Sequence, residues 1–268
     1  MPDNQENKQN EKSFWAHLED LRKMLFKMTI VITVLVVAMF FYMPQIFDNI
    51  ILAPCNGDFC LYRAFEKITA AFPSLPQFST EGYHVELINT KLASQFFTHI
   101  SASFWLSIIV AFPILLFILW DFISPALYEK EKKGASIAFF GGTLLFYLGV
   151  AVSYFLIFPI TLRFLYQYQL SANIENLLSL DSYMDNFFML NLMMGAVFEL
   201  PMLAWVLSLI GLIHRSFFRK YRRHAIVALL VLAAIITPTG DPLTLTIVFL
   251  PLYILYEGSA LLVKKDEE

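Results

Sequence analysis

The sequence predicts an all-α membrane protein with six transmembrane helices. Its composition favours lipid, because 58% of the 268 residues are hydrophobic and only 15% are charged. Soluble domains are roughly 45–50% apolar and about 25% charged. The apolar residues also fall into runs long enough to act as membrane spans. These predicted spans lie at about 25–43, 96–123, 137–158, 187–212, 225–239 and 243–263.

The N-terminal region is polar and then amphipathic. Residues 1–12 are expected to form a disordered tail, and they lack the short apolar stretch and small-residue cleavage site of a removable signal peptide. After residue 12, apolar residues recur at helical spacing with charged residues between them. This pattern predicts an amphipathic helix at the membrane surface that leads into the first span. One domain is expected over 13–263, followed by a tail at 264–268.

Two polar connections and one glycine-rich span come next. The connection at 44–96 is long for an irregular loop, so we expect some helix within it. A second polar connection covers 160–186. The third span contains Gly141, Gly142 and Gly149. Small residues let helix backbones approach closely, and Pro159 is expected to end this span.

The last two predicted helices are short. Residues 225–236 give twelve apolar positions, about 18 Å of helix, whereas the hydrocarbon core is about 30 Å thick. Residues 243–256 give fourteen before Glu257. Such a hairpin requires a thinner bilayer, added flanking residues or cover from other helices. We expect it to leave a notch on one side of the bundle.

The basic residues predict the orientation. With six spans, all but four of the 19 Lys and Arg residues fall on the side of the two termini. The exceptions are Arg63, Lys67, Lys91 and Arg163. By the positive-inside rule, both termini are therefore expected to be cytoplasmic. Cys55 and Cys60 then lie in the first external loop, where we favour a disulfide over two free thiols.

Glu199 lies halfway along the fourth predicted span. An acidic side chain at a helix centre costs roughly 2.5–3.5 kcal/mol, so it usually faces a protein interior or a wet cavity. Pro201, two residues later, removes a backbone donor and predicts a kink. A functional acid is favoured, and our hypothesis is that Glu199 docks a polar group of a partner helix. The alternative is a neutral acid that only packs against a neighbouring helix.

No catalytic or metal-binding constellation is evident, so an enzyme is not expected. No cofactor, metal ion or nucleic-acid partner is expected either. The face predicted to be cytoplasmic carries the carboxylates of Glu19, Asp20, Glu129 and Glu131. One interpretation is local ion pairing, such as Glu19 with Lys23, worth only tenths of a kcal/mol. The other is a bidentate site for guanidinium groups, which a ligand with adjacent arginines would fill.

A series of short motifs follows the order of the spans. They are HLEDLRK (17–23), PALY (125–128) followed by Glu131, FY (146–147), FP (158–159), FELP (198–201), RR (222–223), TP (237–238), Pro251 and YE (256–257). In this order the chain resembles the TatC family, the signal-peptide-binding core of the twin-arginine protein translocase. The resemblance implies a concave, glove-like bundle in the bacterial inner membrane. It also implies TatA-type or TatB-type single-span partners, a homo-oligomeric complex, and export of folded proteins driven by the proton-motive force.

The resemblance also assigns residues. It implies that Glu131 binds the paired arginines with Phe122 beside it, and that Asp20 takes the place of a second, usually glutamate, acidic residue. The neighbouring Glu19 and Arg22 complete the predicted peptide site. Glu199, Pro201 and Thr237 correspond to positions associated with partner docking or with the end of the fifth helix. Pro54 and Pro159 match external structural prolines, near which Cys55 and Cys60 look like a local elaboration.

Two departures from the family pattern are apolar. Ile118 and Leu245 stand where related chains often have glutamine, which puts partner docking at the last hairpin in question. The main functional alternative is a proton-coupled small-molecule secondary transporter that uses Glu199 as its proton carrier. The short hairpin and the lack of an inverted-repeat pattern weigh against it. A passive scaffold for membrane helices is a third possibility.

Overall fold

The computed structural model describes residues 3–72, 79–126, 129–171, 173, 176–209, 211–237 and 240–263. Side chains are described from residue 15 onward, except those of residues 126, 129–135 and 138 within these ranges. The helices are α1 (Asp3–Ile46), α2 (Cys60–Ala71), α3 (Ser94–Ile123), α4 (Glu129–Val152), α5 (Phe158–Gln167), α6 (Leu180–Val197), α7 (Leu200–Leu209), α8 (Arg215–Ile236) and α9 (Pro242–Leu262). Two short strands, β1 (Leu87–Ile88) and β2 (Leu178–Ser179), pair in parallel between the two polar connections.

Five helical segments of the described chain are long and apolar enough to cross a membrane. They are Trp15–Cys55, Ser94–Ile123, Phe139–Gln167, Leu180–Leu209 and Pro242–Leu262. The remaining predicted span lies in α8, whose first half is basic and whose apolar half is only 225–236. α9 has 21 residues, about 31 Å of helix. It is therefore longer than its uninterrupted apolar run indicated, whereas the membrane-compatible part of α8 is as short as predicted.

The N-terminal tail differs from its prediction. Residues 1–12 were expected to be disordered, but α1 already begins at Asp3. The segment consists largely of Gln, Glu, Lys and Asn, of which all but Asn have good helix propensity. Adding residues to an existing helix also costs far less than nucleating a new one. The amphipathic helix and the first span are therefore one continuous helix, which runs through Pro44 to Ile46.

α1 packs along α3. Near the end of this helix pair, the Nε2 atom of His99 lies 2.8 Å from the carbonyl oxygen of Phe40 and donates to it. The two rings also stack, with centroids 4.0 Å apart. Deeper in α3, the hydroxyl of Ser103 donates to the carbonyl of His99, and Ser107 donates to that of Ser103. These buried hydroxyls are thereby satisfied within their own helix, which an apolar environment requires.

The third span does not end at Pro159, contrary to the prediction. A π-helical turn, Ser153–Ile157, joins α4 to α5, and Pro159 lies in the first turn of α5. A proline ring normally clashes with the carbonyl four residues earlier, which here is that of Phe155. The π turn contains Phe155 and widens the helix there, and the first turn of a helix does not need the missing N–H. The helix therefore continues to Gln167.

The glycines of α4 allow the close packing that was predicted. A Cβ atom on Gly149 would lie 2.6 Å from the carbonyl oxygen of Met194 in α6. From the other side, a Cβ atom on Gly195 would lie 2.7 Å from the ring of Phe146. Such distances are shorter than real Cβ contacts, so α4 and α6 could not approach as they do with larger residues.

The fourth span is broken in the middle. It begins at Leu180, seven residues before the predicted boundary of 187–212, because the Ser179 side chain accepts the amide of Ser182 and caps α6. The helix is interrupted at Phe198 and Glu199, and α7 then runs to Leu209 with Pro201 at its second residue. The break between the two helices thus lies beside Pro201, where the kink was predicted.

The two polar connections pack against each other in a cluster that we call the outer cluster. It is defined by Pro54, Tyr62, Tyr83, Pro159 and Arg163. The hydroxyl of Tyr62, 1% exposed, lies 3.1 Å from the carbonyl oxygen of Pro54 and 3.0 Å from that of Pro159. Burial raises the pKa of this phenol, which stays protonated and donates. The Arg163 guanidinium lies over the Tyr62 and Tyr83 rings, 5.4 and 4.7 Å from their centroids. The outer cluster includes both prolines predicted to be structural.

The predicted disulfide is wrong for this structure, because Cys55 and Cys60 are both free thiols. Cys55 lies in a 3₁₀ turn, Ala53–Cys55, and its side chain is buried at 2% exposure, within reach of the Tyr183 hydroxyl. Cys60 begins α2 and is exposed. The turn thus directs one thiol into the core and the start of α2 presents the other to the surface.

Candidate functional site

A cleft between α1 and α3 brings charged and aromatic side chains together. Its volume is about 340 Å³. The first wall, from α1, includes Asp20, Lys23 and Lys27, and the second wall, from α3, includes Ile118, Asp121 and Phe122. We call this space the α1–α3 cleft. It combines carboxylates, ammonium groups and an aromatic ring at the end of the helix pair opposite the His99 contact.

The structure separates the predicted peptide-site residues. Asp20 and Phe122 line the α1–α3 cleft. Glu19 instead pairs with Lys23, 2.9 Å away and one helical turn on, as the local ion-pair interpretation predicted. Arg22 is exposed and does not line the cleft. The side chain of Glu131 lies outside the described residues. Its backbone is in the first turn of α4, so its role stays a prediction.

The sequence analysis missed Asp121. Its Oδ2 atom lies 3.9 Å from the Nζ of Lys27 across the α1–α3 cleft. The available signal was an acidic residue two positions before the end of the apolar run at 96–123. Ile118, one turn earlier on α3, gives this cleft an apolar patch.

Glu199 lies where α6 and α7 separate, and its carboxyl group faces α4. A Cβ atom on Gly142 would be 2.6 Å from Oε2 of Glu199, so this oxygen sits directly against the α4 backbone. The side chain is half-buried. Its Oε1 atom is buried without a hydrogen-bond partner among the described residues. Glu199 therefore faces protein, as predicted, and one of its oxygens is buried without a donor from the described residues.

The other predicted docking positions are internal to the bundle. Thr237 is 2% exposed, and its hydroxyl donates to the carbonyl oxygen of Ala233 at 2.9 Å, at the end of α8. Pro201 is buried in α7. Leu245 is partly buried against the main core. These contacts give the three residues packing roles, and a docking role for Thr237 and Pro201 stays a prediction.

The hairpin of α8 and α9 is held by a polar contact that the sequence analysis did not predict. Arg222 binds the Glu257 carboxylate through Nε at 2.7 Å and donates from Nη2 to the Tyr253 hydroxyl at 2.8 Å. Arg222 and Glu257 both belong to the quoted motifs, but spacing alone does not show that RR and YE meet. Among the described side chains, no three His, Cys, Asp or Glu residues are grouped so as to hold a metal ion.

Comparison with known proteins identifies the family. The sequence-family model described as Sec-independent protein translocase protein (TatC) matches residues 16–251 of this chain. The chain belongs to the TatC family. TatC of Blattabacterium sp. subsp. Periplaneta americana is 34% identical over 254 residues, 94% of this chain and 95% of the relative. TatC of Escherichia coli K12 is 30% identical over 242 residues, 90% of this chain and 84% of the relative.

Solved structures agree with this assignment. Two crystal structures of the twin arginine translocase receptor TatC superpose with TM-scores of 0.70 and 0.72, the second obtained in DDM. Both are 30% identical and cover 92% of this chain, and 97% and 99% of their own chains. The predicted all-α membrane fold is confirmed. This TatC-family chain is a multi-pass membrane protein of a protein translocase family and not an enzyme, which supports the translocase interpretation over the small-molecule transporter.

Proposed function

We propose that this chain is the signal-peptide receptor of a twin-arginine translocase, and that its α1–α3 cleft binds the paired arginines. The observation that carries the proposal is the pairing of Asp20 and Phe122 in one cleft of a TatC-family chain. Carboxylates recognise guanidinium groups through two parallel hydrogen bonds, and an aromatic face accepts a planar cation. A peptide with adjacent arginines can use both kinds of contact.

Glu131 completes the proposed peptide site from α4. A 3₁₀ turn, Ser124–Ala126, follows α3, and α4 begins at Glu129. Pro125 in this turn lines the α1–α3 cleft. Glu131 is only six residues further along the chain, within reach of the same ligand. The family resemblance supplies its role as the principal acceptor of the arginines.

The proposed cleft faces the cytoplasm of a bacterium whose inner membrane holds the chain. The support is the charge distribution, because most Lys and Arg residues lie on the same side of the predicted spans as the two termini. TatA-type or TatB-type single-span proteins would join the receptor, with further copies of this chain, for export driven by the proton-motive force. Glu199 serves as their hydrogen-bonding dock, supported by its half-buried side chain in the middle of the fourth span.

A crosslinking experiment tests the receptor function. Membranes containing the chain are labelled with a photoreactive twin-arginine signal peptide and with its twin-lysine counterpart. Asp20→Asn and Glu131→Gln should abolish labelling by the twin-arginine peptide. Glu19→Gln is the matched control and should preserve it, because Glu19 is engaged with Lys23. Equal labelling by both peptides would contradict a receptor and favour a passive scaffold.

A further inference from the structure

Lys27 and Asp121 make a loose contact across the α1–α3 cleft. The 3.9 Å separation of Nζ and Oδ2 is at the outer limit of an ion pair and too long for a hydrogen bond. The side chains are 63% and 71% exposed. Exposed pairs of this kind are weak because water and salt screen them. Lys27 therefore neutralises Asp121 without being fixed to it.

The other lysine of the cleft is held differently. Lys23 lies 2.9 Å from Glu19 on the same helix, at hydrogen-bond distance. Its partner is local to α1, whereas the contact of Lys27 bridges the two walls of the cleft. Of the two lysines, Lys27 is thus the one that contacts a carboxylate on the opposite wall, that of Asp121.

We propose that Lys27 competes with the bound peptide for Asp121. A guanidinium group of the peptide displaces the Lys27 ammonium group from this carboxylate. This inference rests on the proposed receptor function. Asp121 then becomes a second acceptor for the paired arginines beside Phe122. The released ammonium group moves to solvent or to lipid headgroups, which its flexible four-carbon stem allows.

The exchange favours arginine over lysine. A guanidinium fork makes two parallel hydrogen bonds to a carboxylate, whereas an ammonium group acts as a point charge. An arginine therefore gains contacts when it replaces Lys27 at Asp121. A lysine of the peptide only replaces one ammonium group by another, and its binding gains nothing. Both ligands meet the same cost of displacing Lys27, and only the two hydrogen bonds of the guanidinium fork leave a net gain at Asp121.

The test measures affinity for two peptides with the purified full-length chain in nanodiscs. Fluorescent twin-arginine and twin-lysine signal peptides are titrated against the natural chain, Lys27→Gln, Asp121→Asn and the double variant. Asp121→Asn should weaken twin-arginine binding about tenfold, as expected for a bidentate charged contact. Lys27→Gln should strengthen binding of both peptides by the same factor, because either ligand is spared the same displacement. With Asp121→Asn present, Lys27→Gln should strengthen neither peptide, because the carboxylate for which they compete is gone.

Lys23→Gln is the matched control, because it removes a cation from the same cleft but not from Asp121. It should strengthen both peptides to the same extent with and without Asp121→Asn. If Lys27→Gln likewise strengthened binding with Asp121→Asn present, or if Asp121→Asn left twin-arginine binding unchanged, the competitor role would be overturned while the receptor function stood. A natural chain with no preference between the peptides would instead contradict the receptor function itself. A gain in binding cannot arise from misfolding.

Discussion

Gly142 lies directly against the carboxyl group of Glu199. The distance from a Cβ atom at position 142 to Oε2 would be only 2.6 Å, and to Cδ 3.3 Å. The acid therefore fits between α4 and the start of α7 because residue 142 has no side chain. An apparently costly acid in the fourth span and a glycine in the third are parts of one arrangement, although 57 positions separate them in the sequence.

We predict that Gly142→Ala destabilises the chain by about 1 kcal/mol, the low end of the usual cost of overpacking, because the methyl group meets the flexible end of the Glu199 side chain. The added methyl group must push the Glu199 side chain or α7 away from α4. The thermal midpoint of the detergent-purified protein measures the effect. Gly258→Ala in α9 is the control, because nothing lies within 4 Å of its Cβ position. It should keep or raise the midpoint, since alanine favours helix over glycine.

The double variant Gly142→Ala/Glu199→Ala should recover most of the stability lost in Gly142→Ala. Removing the carboxyl group takes away the atoms that the methyl group meets. Residues in contact have non-additive effects on the free energy of unfolding. Strictly additive losses in the two single variants and the double variant would show that the contact does not limit packing.

Glu199→Ala should weaken copurification of single-span partners more than it weakens crosslinking to a signal peptide. The reason is that Glu199 lies in the fourth span, whereas the α1–α3 cleft is formed by other helices. Glu199→Gln should preserve copurification, because an amide keeps hydrogen-bonding capacity. Loss of peptide crosslinking with intact assembly would reverse the roles assigned to Glu199 and Glu131.

Tyr62→Phe should lower the free energy of unfolding by about 1–3 kcal/mol. It leaves the buried carbonyl oxygens of Pro54 and Pro159 without the hydroxyl that they share. Denaturant unfolding monitored by circular dichroism gives the value. Tyr168→Phe is the control at the same end of the bundle, where the ring is 63% exposed. Equal changes in the free energy of unfolding for the two variants would show that the outer cluster does not stabilise the protein.

Maleimide labelling distinguishes the two cysteines. Cys60 should react in the folded protein, and Cys55 only after denaturation, because its thiol is buried. Cys60→Ser should therefore abolish labelling of the folded chain. A mass two daltons below that of the reduced chain, with both thiols unreactive until reductant is added, would instead establish the disulfide.

Arg222→Lys should lower the thermal midpoint, whereas Arg223→Lys should not. Arg222 contacts both Glu257 and Tyr253 from α8, and a lysine cannot make both contacts with the same planar geometry. Arg223 is exposed and serves as the adjacent control. The comparison is made in the same detergent and at the same salt concentration, because salt screens exposed pairs.

Five of the six predicted spans match helices long and apolar enough to cross a membrane, because each depends on the local density of apolar residues along the chain. The presence of helix within the 44–96 connection also followed from its length alone. The continuation past Pro159 did not, since it depends on a π turn that changes which carbonyl the ring meets. The wrong disulfide has a similar cause. Spacing permitted a Cys55–Cys60 ring, but the 3₁₀ turn buries one thiol in the core.

The candidate site was predicted only in part, because some of its residues carry a signal in the sequence and others depend on contacts between helices. Asp20 lies in a quoted motif and Phe122 was assigned by the family resemblance, and the structure brings both to one cleft. Asp121 had no motif to mark it, because its importance depends on facing Lys27 of another helix. Pairings across helices, such as that of Gly142 with Glu199, depend on helix register and crossing, which periodicity within one segment does not specify.

The twelve-residue apolar half of α8 has a consequence for the membrane voltage. A transmembrane potential falls across the low-dielectric layer, and if the bilayer thins to match this apolar half, that layer is about 18 Å thick there instead of about 30 Å. The same voltage then produces an electric field roughly 1.7 times stronger there. A charged or dipolar group that moves beside α8 gains correspondingly more work per ångström. Where the bilayer thins to match the apolar half of α8, a moving charge is therefore more sensitive to the energised state of the membrane than it is beside the longer spans.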